Sequence, residues 1–207
     1  MVSSAQLLQL LRAERVMPII RSATGEDALA IGRTLIDAGF RALEVSLTTP
    51  GALDAIAELS PDPRAEIGAG TVLTAADVSA ATAAGASFMV TPAVTASIEV
   101  SAAAGIPVLA GAFTPTEVLA ALERGATAVK LFPAEFGGPS YLSALRSPLP
   151  DAPIIPVGGV DVESGREYLR RGALAVGVGS PLTGTGPTDL AAISSRAAAF
   201  RALSSIR

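Results

Sequence analysis

The 207-residue chain has no cysteine, no histidine and no tryptophan, and its aromatic content is only 4%. These absences exclude disulfides, a thiolate nucleophile, an imidazole base and any zinc site built from Cys or His ligands. Charge is also sparse: 16% of residues are charged, the formal net charge is −4, and no basic run offers a footprint for nucleic acid or an anionic lipid surface. No apolar stretch approaches the roughly 20 uninterrupted residues that cross a bilayer. The opening segment, Met1 to Arg15, interleaves Gln6, Gln9, Arg12 and Glu14 with leucines and reads as a short amphipathic helix rather than a signal peptide. A cytoplasmic protein with neither nucleic-acid nor membrane partners is expected. The scarcest side chain of all is lysine. Of the 15 basic residues only Lys130 carries an amine; the others are arginine.

What is abundant is alanine and glycine, arranged in a recurring order without a linker or low-complexity tract. A helical stretch closes on glycine and a short apolar run follows. Gly39 precedes Ala42 to Leu47, Gly85 precedes Phe88 to Thr91, Gly105 precedes Pro107 to Ala110, Gly125 precedes Ala126 to Phe132, and Gly172 precedes Leu174 to Val178. Three further runs, Arg15 to Ile20, Arg64 to Gly68 and Ile154 to Val157, bring the expected strands to eight. Eight βα units of about 26 residues suit a lean, single-domain (β/α)₈ barrel over residues 1–207. The alternative, an open doubly wound sheet, would want a Gly-x-Gly-x-x-Gly turn after its first strand, where this chain has Ile19-Ile20-Arg21-Ser22.

Barrel active sites lie at the C-terminal strand ends, and alternation along each strand aims its side chains. With Leu43, Val45 and Leu47 facing the helices, Ala42, Glu44, Ser46 and Thr48 face inward. With Val129 and Leu131 facing the helices, Ala128, Lys130 and Phe132 face inward. Lys130 and Glu44 therefore converge on one cavity. Arg21 ends the first strand and Thr71 follows the third at the same rim. A lone lysine could survive by chance in an arginine-rich chain, but chance favours the surface, whereas this one sits in an apolar strand. Arginine could not replace it, because an amine can lose its proton and attack a carbonyl while a guanidinium stays charged. Glu44 could instead merely neutralise Lys130 or Arg21, and Arg21 could be a rim ion pair. The last two strands end in Gly158-Gly159 and Gly179-Ser180, where barrels commonly hold a phosphate on exposed backbone N–H groups.

Together Pro18-Ile-Ile-Arg21, Ile36-Asp-Ala-Gly-Phe40, Leu43-Glu44-Val45, Gly68-Ala-Gly-Thr-Val-Leu73, Val90-Thr-Pro92, Val129-Lys-Leu-Phe-Pro133, Val157-Gly-Gly-Val160 and Val178-Gly179-Ser180 resemble one family over nearly the whole chain. It comprises the 2-keto-3-deoxy-6-phosphogluconate and 2-keto-3-deoxy-6-phosphogalactonate aldolases, class I enzymes with a trimeric (β/α)₈ barrel. The resemblance implies that Lys130 forms a Schiff base and Glu44 shuttles protons. It also implies that Arg21, Thr71, Pro92 and Phe132 contact the substrate, that Gly158, Gly159, Gly179 and Ser180 surround its phosphate, and that neither metal nor organic cofactor is needed. Two departures bear on the substrate. Thr48 stands where the gluconate branch usually has a carboxylate-binding arginine, leaving Arg21 as a candidate for that task. Val157 stands where that branch tends to have threonine. Val157, with Phe136-Gly137-Gly138-Pro139-Ser140-Tyr141, leans toward the galactonate type. The alternatives are a 4-hydroxy-2-oxoglutarate aldolase and a non-catalytic barrel that binds a phosphorylated metabolite.

Overall fold

A computed structural model describes residues 2–206. Helix α1 (Ser4–Glu14) leads into β1 (Val16–Ile20), α2 (Gly25–Asp37), β2 (Ala42–Ser46), α3 (Ala52–Leu59) and β3 (Glu66–Gly70). The alternation continues through α4 (Ala75–Ala83), β4 (Phe88–Val90), α5 (Ser97–Ala103), β5 (Val108–Ala112), α6 (Pro115–Glu123) and β6 (Ala128–Leu131). It finishes with α7 (Gly138–Arg146), β7 (Ile154–Pro156), α8 (Val162–Arg170), β8 (Val176–Val178), the one-turn α9 (Ser180–Thr183) and α10 (Leu190–Arg201). The strands pair in parallel in the order β7-β6-β5-β4-β3-β2-β1-β8. Ends β7 and β8 meet through a Val157–Gly177 bridge and a 2.9 Å hydrogen bond from the Leu174 amide to the Ile154 carbonyl. The architecture is a (β/α)₈ barrel with a short N-terminal helix.

Local chemistry explains the punctuation. Thr24, Thr74, Thr114, Asp161 and Asp189 cap the helices that follow their strands, each side chain accepting a backbone N–H of the first turn. At the other end Gly39, Gly85, Gly105, Gly125 and Gly172 all have positive φ, as expected for glycines just beyond a helix. The core divides into two layers. Leu43, Val45, Val129 and Leu131 pack with the helices. Met17, Ala42, Phe88, Leu109, Ala128 and Ile155 fill the barrel, and Leu7 and Leu11 of α1 close this cluster.

Several strand limits differ from the sequence reading, and β3 differs most, running Glu66–Gly70 rather than Arg64–Gly68. Its glycines resemble turn signals but lie inside the strand because neighbouring side chains fill their space. A Cβ on Gly68 would overlap the Phe88 ring, and one on Gly70 would fall 2.7 Å from Cδ and Cγ of Glu44. Strand β2 stops at Ser46, so Thr48 lies in the following turn, exposed, and not on an inward strand position. Arg15 is the left-handed cap of α1 rather than part of β1.

The caps make stability sensitive to acid. Backbone donation from Leu73 holds the Asp77 carboxyl below its ordinary 3.8, backbone donation from Thr114 holds Glu117 below 4.5, and the Ser164 hydroxyl and amide do the same for Asp161. A carboxyl depressed in the folded state contributes stability above its unfolded value, and that contribution is lost as pH falls through the folded value. Thermal denaturation followed by circular dichroism should therefore give a Tm independent of these groups from pH 7 to 5 and falling below about pH 4. The combined Asp77→Asn, Glu117→Gln and Asp161→Asn variant should show a lower Tm at pH 7 and a shallower acid decline.

Candidate active site

Lys130 and Glu44 face each other across the barrel. Their neighbours are small where the two side chains need room: Lys130 pairs with Gly111 of β5, and Glu44 with Gly68 of β3. Lys130 Nζ lies 3.4 Å from Glu44 Oε1, with the lysine residue 7% and the glutamate 1% exposed. Charged groups are rarely buried to this degree without a task, because desolvation opposes the attraction of the pair. The contact engages one carboxylate oxygen only. Glu44 Oε2 is buried with no hydrogen-bond partner among the described residues, which leaves it free to accept a proton. The Phe132 ring forms an apolar wall beside the amine, its centroid 5.6 Å from Nζ.

The amine opens into a cavity of about 500 Å³ at the C-terminal strand ends. Each of the remaining expected site residues lines it. Arg21 follows β1, Thr71 follows β3, Pro92 follows β4, Phe132 follows β6, Gly158 and Gly159 follow β7, and Gly179 and Ser180 follow β8. Glu44 lies outside the lining, held in contact with the amine from the barrel interior. Backbone geometry suits an anion at the β7 and β8 ends: Gly158 and Gly159 have φ of 103° and 67°, and α9 begins at Ser180. Arg21 makes no ion pair among the described residues, so the rim ion-pair reading has no support.

The supporting bonds are local to the loops. Thr91 Oγ1 donates to the Ala93 carbonyl at 2.6 Å and accepts the Gly111 amide at 3.1 Å, which ties the Pro92 turn to β5. The buried Tyr168 hydroxyl, on α8, donates to the Ala134 carbonyl at 2.9 Å, while the Ala134 amide donates to the Val157 carbonyl at 2.8 Å. The turn carrying Phe132 is thereby joined to the end of β7. Val157 borders the cavity, whereas Phe136, 79% exposed, and the segment after it do not.

Sequence reasoning missed several contributors, among them Ile19, Ser22 and Ala23 at the end of β1. Residues 181 and 183–186 also wall the cavity, and their signal was the Gly-Thr-Gly-Pro stretch of 184–187 following the last strand. Ser46 had been placed facing inward without a role; its hydroxyl lies 3.0 Å from Thr71 Oγ1 and 2.8 Å from Thr48 Oγ1.

Comparison with known proteins shows the family of the whole chain. Residues 7–195 match the family model described as KDPG and KHG aldolase. The 2-dehydro-3-deoxy-phosphogluconate aldolase of Pseudomonas aeruginosa is 38% identical over 169 residues, covering 80% of this chain and 77% of that protein. The 2-dehydro-3-deoxy-6-phosphogalactonate aldolase of Escherichia coli is 38% identical over 172 residues, covering 81% and 83%. Among solved structures, the KDPG aldolase of Legionella pneumophila, with pyruvate captured as a covalent carbinolamine intermediate, superposes with a TM-score of 0.80 at 31% identity, covering 96% of both chains. The chain belongs to the KDPG and KHG aldolase family and is an aldolase, a carbon–carbon lyase.

Proposed function

We propose that this aldolase cleaves 2-keto-3-deoxy-6-phosphogalactonate to pyruvate and glyceraldehyde 3-phosphate through an imine on Lys130. The observation that carries the mechanism is the buried Lys130–Glu44 pair: a lone amine that opens into the cavity and, behind it in the barrel interior, an under-bonded carboxylate. Neutral Lys130 attacks the C2 ketone, and Glu44 moves protons so that the carbinolamine loses water and becomes an iminium ion. Glu44, directly or through a water, then takes the C4 hydroxyl proton. The electrons of the breaking C3–C4 bond flow to the iminium nitrogen, leaving the enamine of pyruvate and releasing the aldehyde. Protonation at C3 and hydrolysis return pyruvate and the free amine. The carbinolamine captured in the Legionella enzyme supports the first of these steps for this chain.

Gly158, Gly159, Gly179 and Ser180 hold the phosphate, whose binding supplies remote positioning energy, while Arg21, Thr71, Pro92 and Phe132 meet the rest of the substrate. Val157, which lines the cavity, supports the galactonate epimer through the family resemblance, since an aliphatic side chain offers no hydrogen bond where the gluconate branch tends to have threonine. Residues 1–207 act as one aldolase domain. The family resemblance supports a homotrimer, and the phosphorylated substrate, too charged to cross a bilayer unaided, supports a cytoplasmic setting. Turnover of the two C4 epimers tests the substrate: kcat/KM should favour the galactonate form by about tenfold or more. A gluconate preference overturns the epimer assignment. Equal turnover of unphosphorylated 4-hydroxy-2-oxoglutarate overturns the phosphate reading.

A further inference from the structure

Thr71 is one of two non-glycine residues among those described with positive φ, at 61°; the other, Arg15, caps α1. For a β-branched residue this conformation is strained, and such strain persists where the surroundings over-determine it. Glycine would remove the strain and is already the residue at 68 and 70. The side chain at 71 is therefore what the position retains. Its hydroxyl is held by Ser46, wholly buried on the same face of β2 as Glu44, and Ser46 is held in turn by Thr48 at the exposed rim. The parallel pairing of Ser46 with Gly70 sets this geometry by bringing Thr71 beside the end of β2.

The chain of hydroxyls has a direction available to it. Ser46 Oγ accepts the Thr48 backbone N–H at 3.4 Å. With the Thr48 hydroxyl donating to Ser46 as well, the proton of Ser46 goes to Thr71, and the proton of Thr71 is left for the cavity. A phosphorylated keto acid brings two anionic ends, and Arg21 is the one guanidinium in the described lining. Neutral donors must therefore serve one end or share in both. We infer that Ser46 and Thr48 are positioning residues that hold Thr71 as a hydrogen-bond donor to the carboxylate of the keto acid. The inference rests on the imine reading above, and it extends the site to two residues outside the cavity wall.

Borohydride trapping of the imine at graded pyruvate concentrations tests it. Thr48→Val and Ser46→Ala should each raise half-saturating pyruvate roughly three- to tenfold, with the limiting trapping rate within about twofold of wild type. Thr48→Ser, which keeps the hydroxyl, should restore the wild-type value. Adding Thr48→Val to Thr71→Val should cost nothing more, because both act through one contact. Inhibition by glycerol 3-phosphate, which probes the phosphate end, should not change. Unaltered half-saturation in both single variants overturns the inference while leaving the imine intact, as does a matching loss of glycerol 3-phosphate binding. Absence of any adduct in the wild type overturns the imine reading and this inference with it.

Discussion

Reduced with borohydride in the presence of pyruvate, the wild-type protein should gain one pyruvate-derived adduct, mapped by peptide mass to Lys130, and Lys130→Arg should gain none. Retro-aldol turnover of the variant should fall on the order of 10⁴-fold or more, because no other amine side chain exists in the chain to form the imine. Arginine is the informative replacement. It retains a positive charge against Glu44, whose contact with Nζ is 3.4 Å, whereas Lys130→Met would leave that carboxylate buried and unpaired at a cost of about 3–5 kcal/mol. A folded Lys130→Arg protein, judged by its Tm, separates loss of chemistry from loss of structure. An adduct at wild-type rate on the chain's terminal amine in that variant would sink the assignment.

Glu44→Gln should reduce turnover by about 10²- to 10⁴-fold, the usual contribution of a positioned acid–base group. Glutamine preserves the volume against Gly70, where 2.7 Å separates the glutamate Cδ from the position a Cβ would take, so the barrel should keep its packing. It cannot accept the proton that Oε2, buried without a partner, is free to take. Stopped-time trapping with pyruvate should show an adduct on Lys130 that forms more slowly but reaches the wild-type extent. That outcome distinguishes a proton shuttle from a carboxylate that only neutralises the amine. Near-normal turnover would return Glu44 to the simpler role of buried counter-ion.

The two residues behind these predictions are legible in the sequence for a definite reason. A two-residue period in a strand whose outward positions are aliphatic leaves the polar positions one direction to face, and Lys130 and Glu44 are the charged positions of β6 and β2. The helix ends were legible for a similar reason. Glycine past the last turn and threonine or aspartate before the first answer local demands of the backbone, satisfied within four residues.

Where the reading slipped, the controlling atoms lay far along the chain. Gly68 and Gly70 resemble a turn until Phe88 and Glu44 occupy the space above them. By alternation Thr48 continues β2, but the strand ends at Ser46 and the Thr48 hydroxyl turns back to bond that last residue. The Ser46–Thr71 contact joins residues 25 apart and the Tyr168–Ala134 contact residues 34 apart. Neither leaves a periodic trace, because a single hydroxyl bond requires only that two elements meet, and their meeting follows from register and helix packing.

Composition and periodicity thus carried the barrel, the unique amine and its facing carboxylate, since those depend on residue type and on spacing within one element. The depth of the pair, its single 3.4 Å contact, the unpartnered Oε2 and the row of hydroxyls ending at Thr71 came from the closed barrel alone. Closure brings side chains from β2, β3 and β6 into one water-poor space, and distances between strands are set there by packing rather than by order along the chain.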